Sequence, residues 1–291
     1  MGTLGGVGVC VRDIPLVPHR GNHYLCLNHF IFPMDILKKE LTSIYARQNL
    51  SSEHLSTLVV DECRHIVETS AAVEDDCRVI TDAATDSCHI FGGAFARLIG
   101  MGSDQIPFSL HADSGDEDII YTRIHPEDLV DKRMLEYEFF KLVDKMPSET
   151  KCDFRACCRI RIKGCGERYI FADNTTRILR LSPAGMIWLI LCTYNLSPCQ
   201  SHGVGINPVI IDIASGDVAE VALSKKRDQI LTPREKEILS LIRDGYPSKI
   251  IADRLCISIH TVNRHRQNIL EKLSVGNSLE AIMAASAMRL M

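Results

Sequence analysis

The chain has 291 residues, of which 46% are hydrophobic and 24% charged, and its net charge is −4. That composition excludes a disordered, collagenous or low-complexity polypeptide, and the length suggests two domains. The charge is unevenly spread: residues 225–291 carry 12 Lys or Arg against 7 Asp or Glu, while the remainder carries 21 against 30, so a polyanionic partner would meet the tail and not the body.

Residues 1–30 are rich in Gly, His and Pro, lack a sustained period and are expected to be poorly ordered. They hold no basic start followed by a long apolar stretch, so no secretory signal is read. The longest apolar run, "MIWLILC" at 186–192, falls far short of the roughly 20 residues a bilayer needs. A cytoplasmic protein with no membrane partner is expected. The twelve cysteines contain no CxxC pair. Cys192, Cys199 and His202 come nearest to a ligand set but lack a second half, so the thiols read as small core residues of a reducing compartment and no metal is expected.

Residues 31–74 read as N-terminal helices: 33–48 and 52–69 have amphipathic spacing, the second with Ser52 as N-cap. Strand patterns follow at 77–82 and 88–92, then a short helix, "AFARLIG". Residues 125–146 open a longer helix, with Pro126 just inside its start and acids in its first turn. His125, beside that proline, reads as a helix-entry residue in preference to a haem or metal ligand. Residues 152–162, "CDFRACCRIRI", alternate strictly, so Cys157 and Cys158 point to opposite faces. "KGCGE" supplies a hairpin loop, 168–181 returns as its partner, and the nearly all-apolar "AGMIWLILCTYN" reads as a central strand covered on both faces. A hairpin at 208–221 leads to polar "SKKRDQ".

"FGGAFARLIGM" at 91–101 and "IHPEDL" at 124–129, followed by three long antiparallel strands, resemble a PAS domain over about residues 75–197. The resemblance implies an α+β fold with a five-stranded antiparallel sheet and a sensor role. A sensor domain is therefore expected over 75–215 and a linker over 216–229. A ligand pocket would lie between the inner face of the sheet and the helices, near Phe154, Cys158 and Ile160. The sequence names no cofactor.

Residues 230–291 read as a separate all-α domain of four short helices. Thr232, Pro233 and Glu235 make a capping box at the start of the first, and Gly245 ends it. Ser248 opens the second. "CIS" turns into the third, "SIHTVNRHRQNILEKL", and the fourth runs over 278–290. On the third helix Val262, Ile269 and Leu273 share one face with His265 beside them, while His260, Asn263, Arg264 and Gln267 project from the other. Arg suits guanine edges and Asn or Gln suits adenine edges, and a recognition helix reads with its N-terminal residues. A merely solvated helix would carry Glu–Lys pairs at four-residue spacing, which this face lacks.

"LTPREKEIL", Gly245, "SKIIADRL", "IS" then "TV", His265, "NI" and "KL" follow one another in the order of the LuxR-type helix-turn-helix, which this segment resembles over about sixty residues. Many members carry Lys after "TV", where this chain has Asn263. DNA binding is expected with His260, Asn263, Arg264 and Gln267 at bases, and with Ser248, Lys249, Thr261, Arg266 and Lys272 at phosphates. The resemblance also implies pairing of two copies through the fourth helix, whose face Leu279, Ile282, Met283 and Ser286 would dimerise. The resulting reading is a one-component transcriptional regulator that binds double-stranded DNA as a homodimer, with RNA polymerase and a small-molecule ligand as further candidate partners. A response regulator and a sigma-like factor are the alternatives. An enzyme is the least supported, since no GxSxG, HExxH or Walker sequence occurs.

Overall fold

The computed structural model describes residues 50–101, 107–115, 117–166, 168–201, 205–228, 230–273 and 275–291. The expected disordered start at 1–30, the helix at 33–48 and His202 lie outside the described residues.

A 3-10 turn, Leu50–Ser52, precedes helix α1 (Thr57–Glu74). The helix does not start at Ser52 as the spacing suggested. The Glu53 carboxylate accepts hydrogen bonds from the Ser182 hydroxyl at 2.7 Å and the Ala184 amide at 3.1 Å, which pins this turn to a distant loop, and α1 opens after Ser56 instead. Strands β1 (Cys77–Asp82) and β2 (Ser87–Gly92) form a hairpin, followed by α2 (Ala94–Leu98), β3 (Phe108–Ala112), α3 (Asp118–Tyr121) and α4 (Pro126–Val143). Gly93 permits the tight exit from β2: a Cβ there would lie 2.6 Å from the Asp75 Cα. His125 is the N-cap of α4, its Nδ1 accepting from the Glu127 amide at 3.3 Å, with Pro126 in the first turn.

Strands β4 (Phe154–Lys163), β5 (Tyr169–Leu181) and β6 (Ile187–Leu196) follow, then β7 (Val209–Asp212) and β8 (Val218–Glu220). The strand order is β3-β2-β1-β6-β5-β4-β7-β8 and every pairing is antiparallel. The central five, β2-β1-β6-β5-β4, are the sheet of the PAS-like α+β fold. β3 extends it on one edge and the β7–β8 hairpin on the other. Alternation holds along β4: Ala156, Cys158, Ile160 and Ile162 are buried and their neighbours partly exposed. Cys152 departs from that pattern, because it lies exposed in a 3-10 turn, Lys151–Asp153, ahead of the strand.

The sheet is covered along its inner face and, over β1, β2 and β6, on its outer face as well. Its inner face (Val79, Ile90, Ile160, Ile162, Ile178 and Ile190 among others) packs on α2 to α4. Its outer face (Ile80, Phe91, Trp188, Leu189 and Leu191) takes Cys63, Val67 and Ala71 of α1. β6, between β1 and β5, is buried from Ile187 to Cys192, which explains its unbroken apolar run.

The stretch expected as a linker, 216–229, contains β8 and a short helix, α5 (Leu223–Asp228). Four helices complete the chain: α6 (Pro233–Arg243), α7 (Ser248–Leu255), α8 (Ile259–Lys272) and α9 (Ser278–Ala287). The fourth stops at Ala287, short of Leu290, because Arg289 turns left-handed with φ +53°. Among the described residues no helix is long and apolar enough to cross a membrane.

Candidate nucleic-acid interface and sensor core

The C-terminal helices are held by local chemistry the sequence announces. The Thr232 hydroxyl accepts from the Glu235 amide at 3.3 Å, while the Glu235 carboxylate accepts from the Thr232 amide at 2.8 Å, so two orphan donors of α6 are satisfied. Gly245, at φ +84°, reverses the chain after α6. α7 ends at Cys256, also left-handed, and the Ser258 hydroxyl caps α8 by accepting from the Thr261 amide at 3.0 Å. Ile238, Leu239, Ile251, Ala252, Val262, Ile269 and Leu273 close the core between these helices.

With Val262, Ile269 and Leu273 buried, the opposite face of α8 is fixed. His260, Asn263, Arg264 and Gln267 are all exposed on it, and His265 is half-buried beside the apolar stripe. The Gln267 amide donates to Glu271 at 3.1 Å. Lys249 is exposed on α7. Ser248 and Thr261 are half-buried at the starts of α7 and α8, and the Thr261 hydroxyl shares a hydrogen bond with Ser258 at 2.8 Å.

Two of the expected phosphate contacts are engaged within the domain. The Arg266 guanidinium donates to the Ser248 hydroxyl at 3.2 Å and the Ser278 hydroxyl at 2.8 Å, so it braces α8 against the starts of α7 and α9. The Lys272 ammonium donates to Glu235 at 2.7 Å. Burial pushes the Glu235 pKa up, but Lys272 and the Thr232 amide outweigh it and hold the carboxyl below its usual value. Lys272 therefore pairs with a buried acid of the capping box, while its own side chain stays 38% exposed. On α9, Ala281, Ala284, Ala285 and Met288 face inward; Leu279 (68% exposed) and Ser286 face out, with Ile282 and Met283 partly covered.

Cys158 and Ile160 are packed in the apolar core, Phe154 is partly buried, and Cys158 donates to Asn174 at 3.7 Å. None of the three lines the inner cavity. That cavity measures about 20 Å³ and is bounded by Glu117, Tyr121, Arg133, Glu136, Thr176 and Cys192, a volume suited to a water or two. Beside it lies a buried charge cluster that periodicity did not reveal. Lys132 donates to Glu136, and to the Tyr121 hydroxyl at 3.3 Å, with its ammonium 4.6 Å from the Tyr121 ring centre. The Tyr194 hydroxyl donates to Glu117. Burial would lower the Lys132 pKa, yet Glu136 and Glu117 together raise it, so the ammonium stays charged in the core. Burial raises the Glu117 pKa, with Lys132 opposing. The signal available in the sequence was Lys132 and Glu136, four apart inside a helix that also buries Leu129, Leu135 and Phe139.

Among the described residues no group of three or more His, Cys, Asp or Glu side chains converges as a metal site. A receiver domain would show alternating β–α units around a parallel sheet, whereas this sheet is antiparallel throughout. Asp61 lies exposed on α1, 3.3 Å from Arg64.

A capped three-helix core that offers the N-terminal half of its second-motif helix to solvent, with donors at four exposed positions, defines a helix-turn-helix DNA-binding regulator. The family description "Bacterial regulatory proteins, luxR family" matches residues 229–285. The uncharacterized response regulatory protein YgeK of Escherichia coli K12 is 32% identical over 124 residues, 40% of this chain and 78% of that protein. The chain belongs to the luxR family of bacterial regulatory proteins. The transcriptional regulatory protein DesR of Bacillus subtilis is 52% identical over 52 residues, and DegU of Brevibacillus brevis 42% over 59. The chain spans 26% and 25% of the length of those two proteins. Among solved structures, the phage VqmA–DPO complex aligns over 78% of this chain and 87% of that one, at 16% identity and TM-score 0.29.

Proposed function

We propose that this chain is a one-component transcriptional regulator of the cytoplasm, in which the PAS-like body governs a C-terminal reading head that binds duplex DNA as a homodimer. The observation that carries the reading is the polar face of α8: His260, Asn263, Arg264 and Gln267 are exposed on it while Val262, Ile269 and Leu273 are buried. Side chains rich in donors, set on a rigid helix and facing solvent, suit base edges in a major groove. Arg264 and Gln267 stand one turn apart and would reach edges in the same groove. Lys249, Ser248 and Thr261, near the starts of α7 and α8, would meet phosphates, with Arg266 positioned to contribute through its brace.

The outward face of α9, with Leu279, Ile282, Met283 and Ser286, is the surface offered to a second copy. RNA polymerase and a small-molecule signal are the further partners proposed. The chain is read as a binding protein and not an enzyme, since the chemistry of its surface is recognition. The test is a titration of the full chain against duplex DNA at several salt concentrations. Affinity falling linearly on a log–log plot, with a slope reporting several displaced counterions, supports the reading. Binding insensitive to salt would overturn it.

A further inference from the structure

Helix α4 carries charges in two directions. Inward, Lys132 and Glu136 join Glu117, Tyr121 and Tyr194 in the buried cluster of the sensor body. Outward, its first turns hold Glu127, Asp128 and Asp131. The Arg161 guanidinium of β4 donates to Glu127 at 3.0 Å and to Asp128 at 2.6 Å. Glu127 also accepts from Arg289, which follows α9 at the far end of the DNA-reading domain. Asp131 lies 3.5 Å from the Arg227 guanidinium of α5, and both of those side chains are largely buried.

Arg289 has a conformation that its own helix does not require of an arginine. The Leu290 amide donates to the Ala285 carbonyl at 2.8 Å and the Arg289 amide to the Ser286 carbonyl at 3.1 Å. That is a Schellman closure with Arg289 left-handed at φ +53°. Glycine adopts that backbone without strain and arginine does not. Met288 and Leu290, on either side, are buried, so the Arg289 backbone is anchored, and its half-exposed side chain reaches a carboxylate 162 residues away in sequence.

From these contacts we infer that α4 couples the sensor body to the reading head: Glu127 and Asp131 latch Arg289 and Arg227, so that a change in the Glu117–Tyr194–Lys132–Glu136 cluster on its inner face alters the DNA affinity of α8. This rests on the reading of the chain as a sensor-controlled DNA-binding regulator. Asp131 is adjacent to Lys132, and Glu127 lies less than two turns before it. A packed helix moves as a rigid body, so a shift forced on one face is felt by the other. The recognition face stays exposed while the latch is closed; the latch acts on the pose of the head and does not cover it.

The test is a double-mutant cycle in the full chain, read as affinity for one fixed duplex by fluorescence anisotropy, with circular dichroism as the control for folding. Tyr194→Phe removes the hydroxyl that donates to Glu117 and keeps the ring. Arg289→Gly, which suits the left-handed closure and keeps α9 capped, is combined with Arg227→Gln, so that both arms of the latch are broken. Tyr194→Phe should change DNA affinity by at least about 5-fold when Arg289 and Arg227 are present, and by less than about 2-fold in the Arg289→Gly, Arg227→Gln background. Should Tyr194→Phe unfold the body, Glu117→Gln takes its place in the same cycle. An equal effect in both backgrounds, or no effect in either, overturns the coupling. Failure of the unsubstituted chain to bind any duplex is a different result, and it would remove the underlying reading together with the latch.

Discussion

Helices α4 and α8 are both rich in polar residues, yet one sits in a core and the other faces solvent. α4 buries Lys132, Arg133, Glu136, Asp128 and Asp131, and the contacts resolved around them set cations against carboxylates. α8 exposes His260, Asn263, Arg264 and Gln267, and the one acid near them, Glu271, lies toward its C-terminal end. A charge whose counterpart is supplied by the same fold can be taken inside, because pairing offsets desolvation. Exposed donors on a rigid helix, Gln267 bonded to Glu271 among them, are the groups that the proposed function assigns to base edges of DNA.

The largest effect that would break this comparison is expected at Lys132. Lys132→Met leaves Glu117 and Glu136 buried without their cation, and should cost about 3–5 kcal/mol of stability by urea denaturation. A loss under about 1 kcal/mol, no more than an exposed pair is worth, would mean that the cluster is solvated and that α4 is not a buried-charge helix at all. On the other side of the comparison, Arg264→Ala should leave stability near that of the parent while weakening binding to the cognate site by about 1–3 kcal/mol. A matching loss of stability would place Arg264 in the domain's own scaffold.

Arg266 sharpens the contrast because it belongs to both categories. Arg266→Ala removes the brace to Ser248 and Ser278, and should lower stability by about 1–3 kcal/mol while weakening binding to all sequences alike. Leu279→Glu, on the exposed face of α9, should leave folding intact and weaken binding to an operator of two half-sites more than to a single half-site; equal weakening on both would argue against pairing through α9.

The smallest effect concerns pH. The folded pKa of Glu235 is held below its usual value, so its contribution is fully present above the unfolded carboxylate value of about 4.3 and is lost as pH falls through the depressed folded value. Glu235→Gln should flatten the acid limb of the stability profile. An unchanged limb would show that Lys272 does not depend on this acid for a partner.

Much of this was legible because periodicity and caps are local. The alternation of β4, the apolar run of β6 and the capping box at Thr232 each follow from residues within a few positions of one another, and each stands in the structure where the sequence put it. What stayed hidden depends on contacts between distant segments. Ser52 looks like an N-cap until Glu53 is seen to be bonded to Ser182 and Ala184. The pairing of Lys272 with Glu235, 37 residues earlier, is a contact of the same kind. The small cavity lined by polar side chains of α3, α4, β5 and β6 likewise brings together residues whose meeting no local pattern encodes. The exposed face of α8 was readable because it is defined by what its own helix buries.

The most direct test of the central claim, that α8 reads base edges with Arg264 while Arg266 only positions, is a binding selection on randomised duplex DNA with the full chain and the two alanine variants. Arg264→Ala should enrich a motif with one base position flattened, and Arg266→Ala should enrich the parental motif at lower overall affinity. An unchanged motif with Arg264→Ala together with a rewritten one for Arg266→Ala would contradict the account, because it would mean that the buried-against-exposed orientation of α8 does not set its reading face.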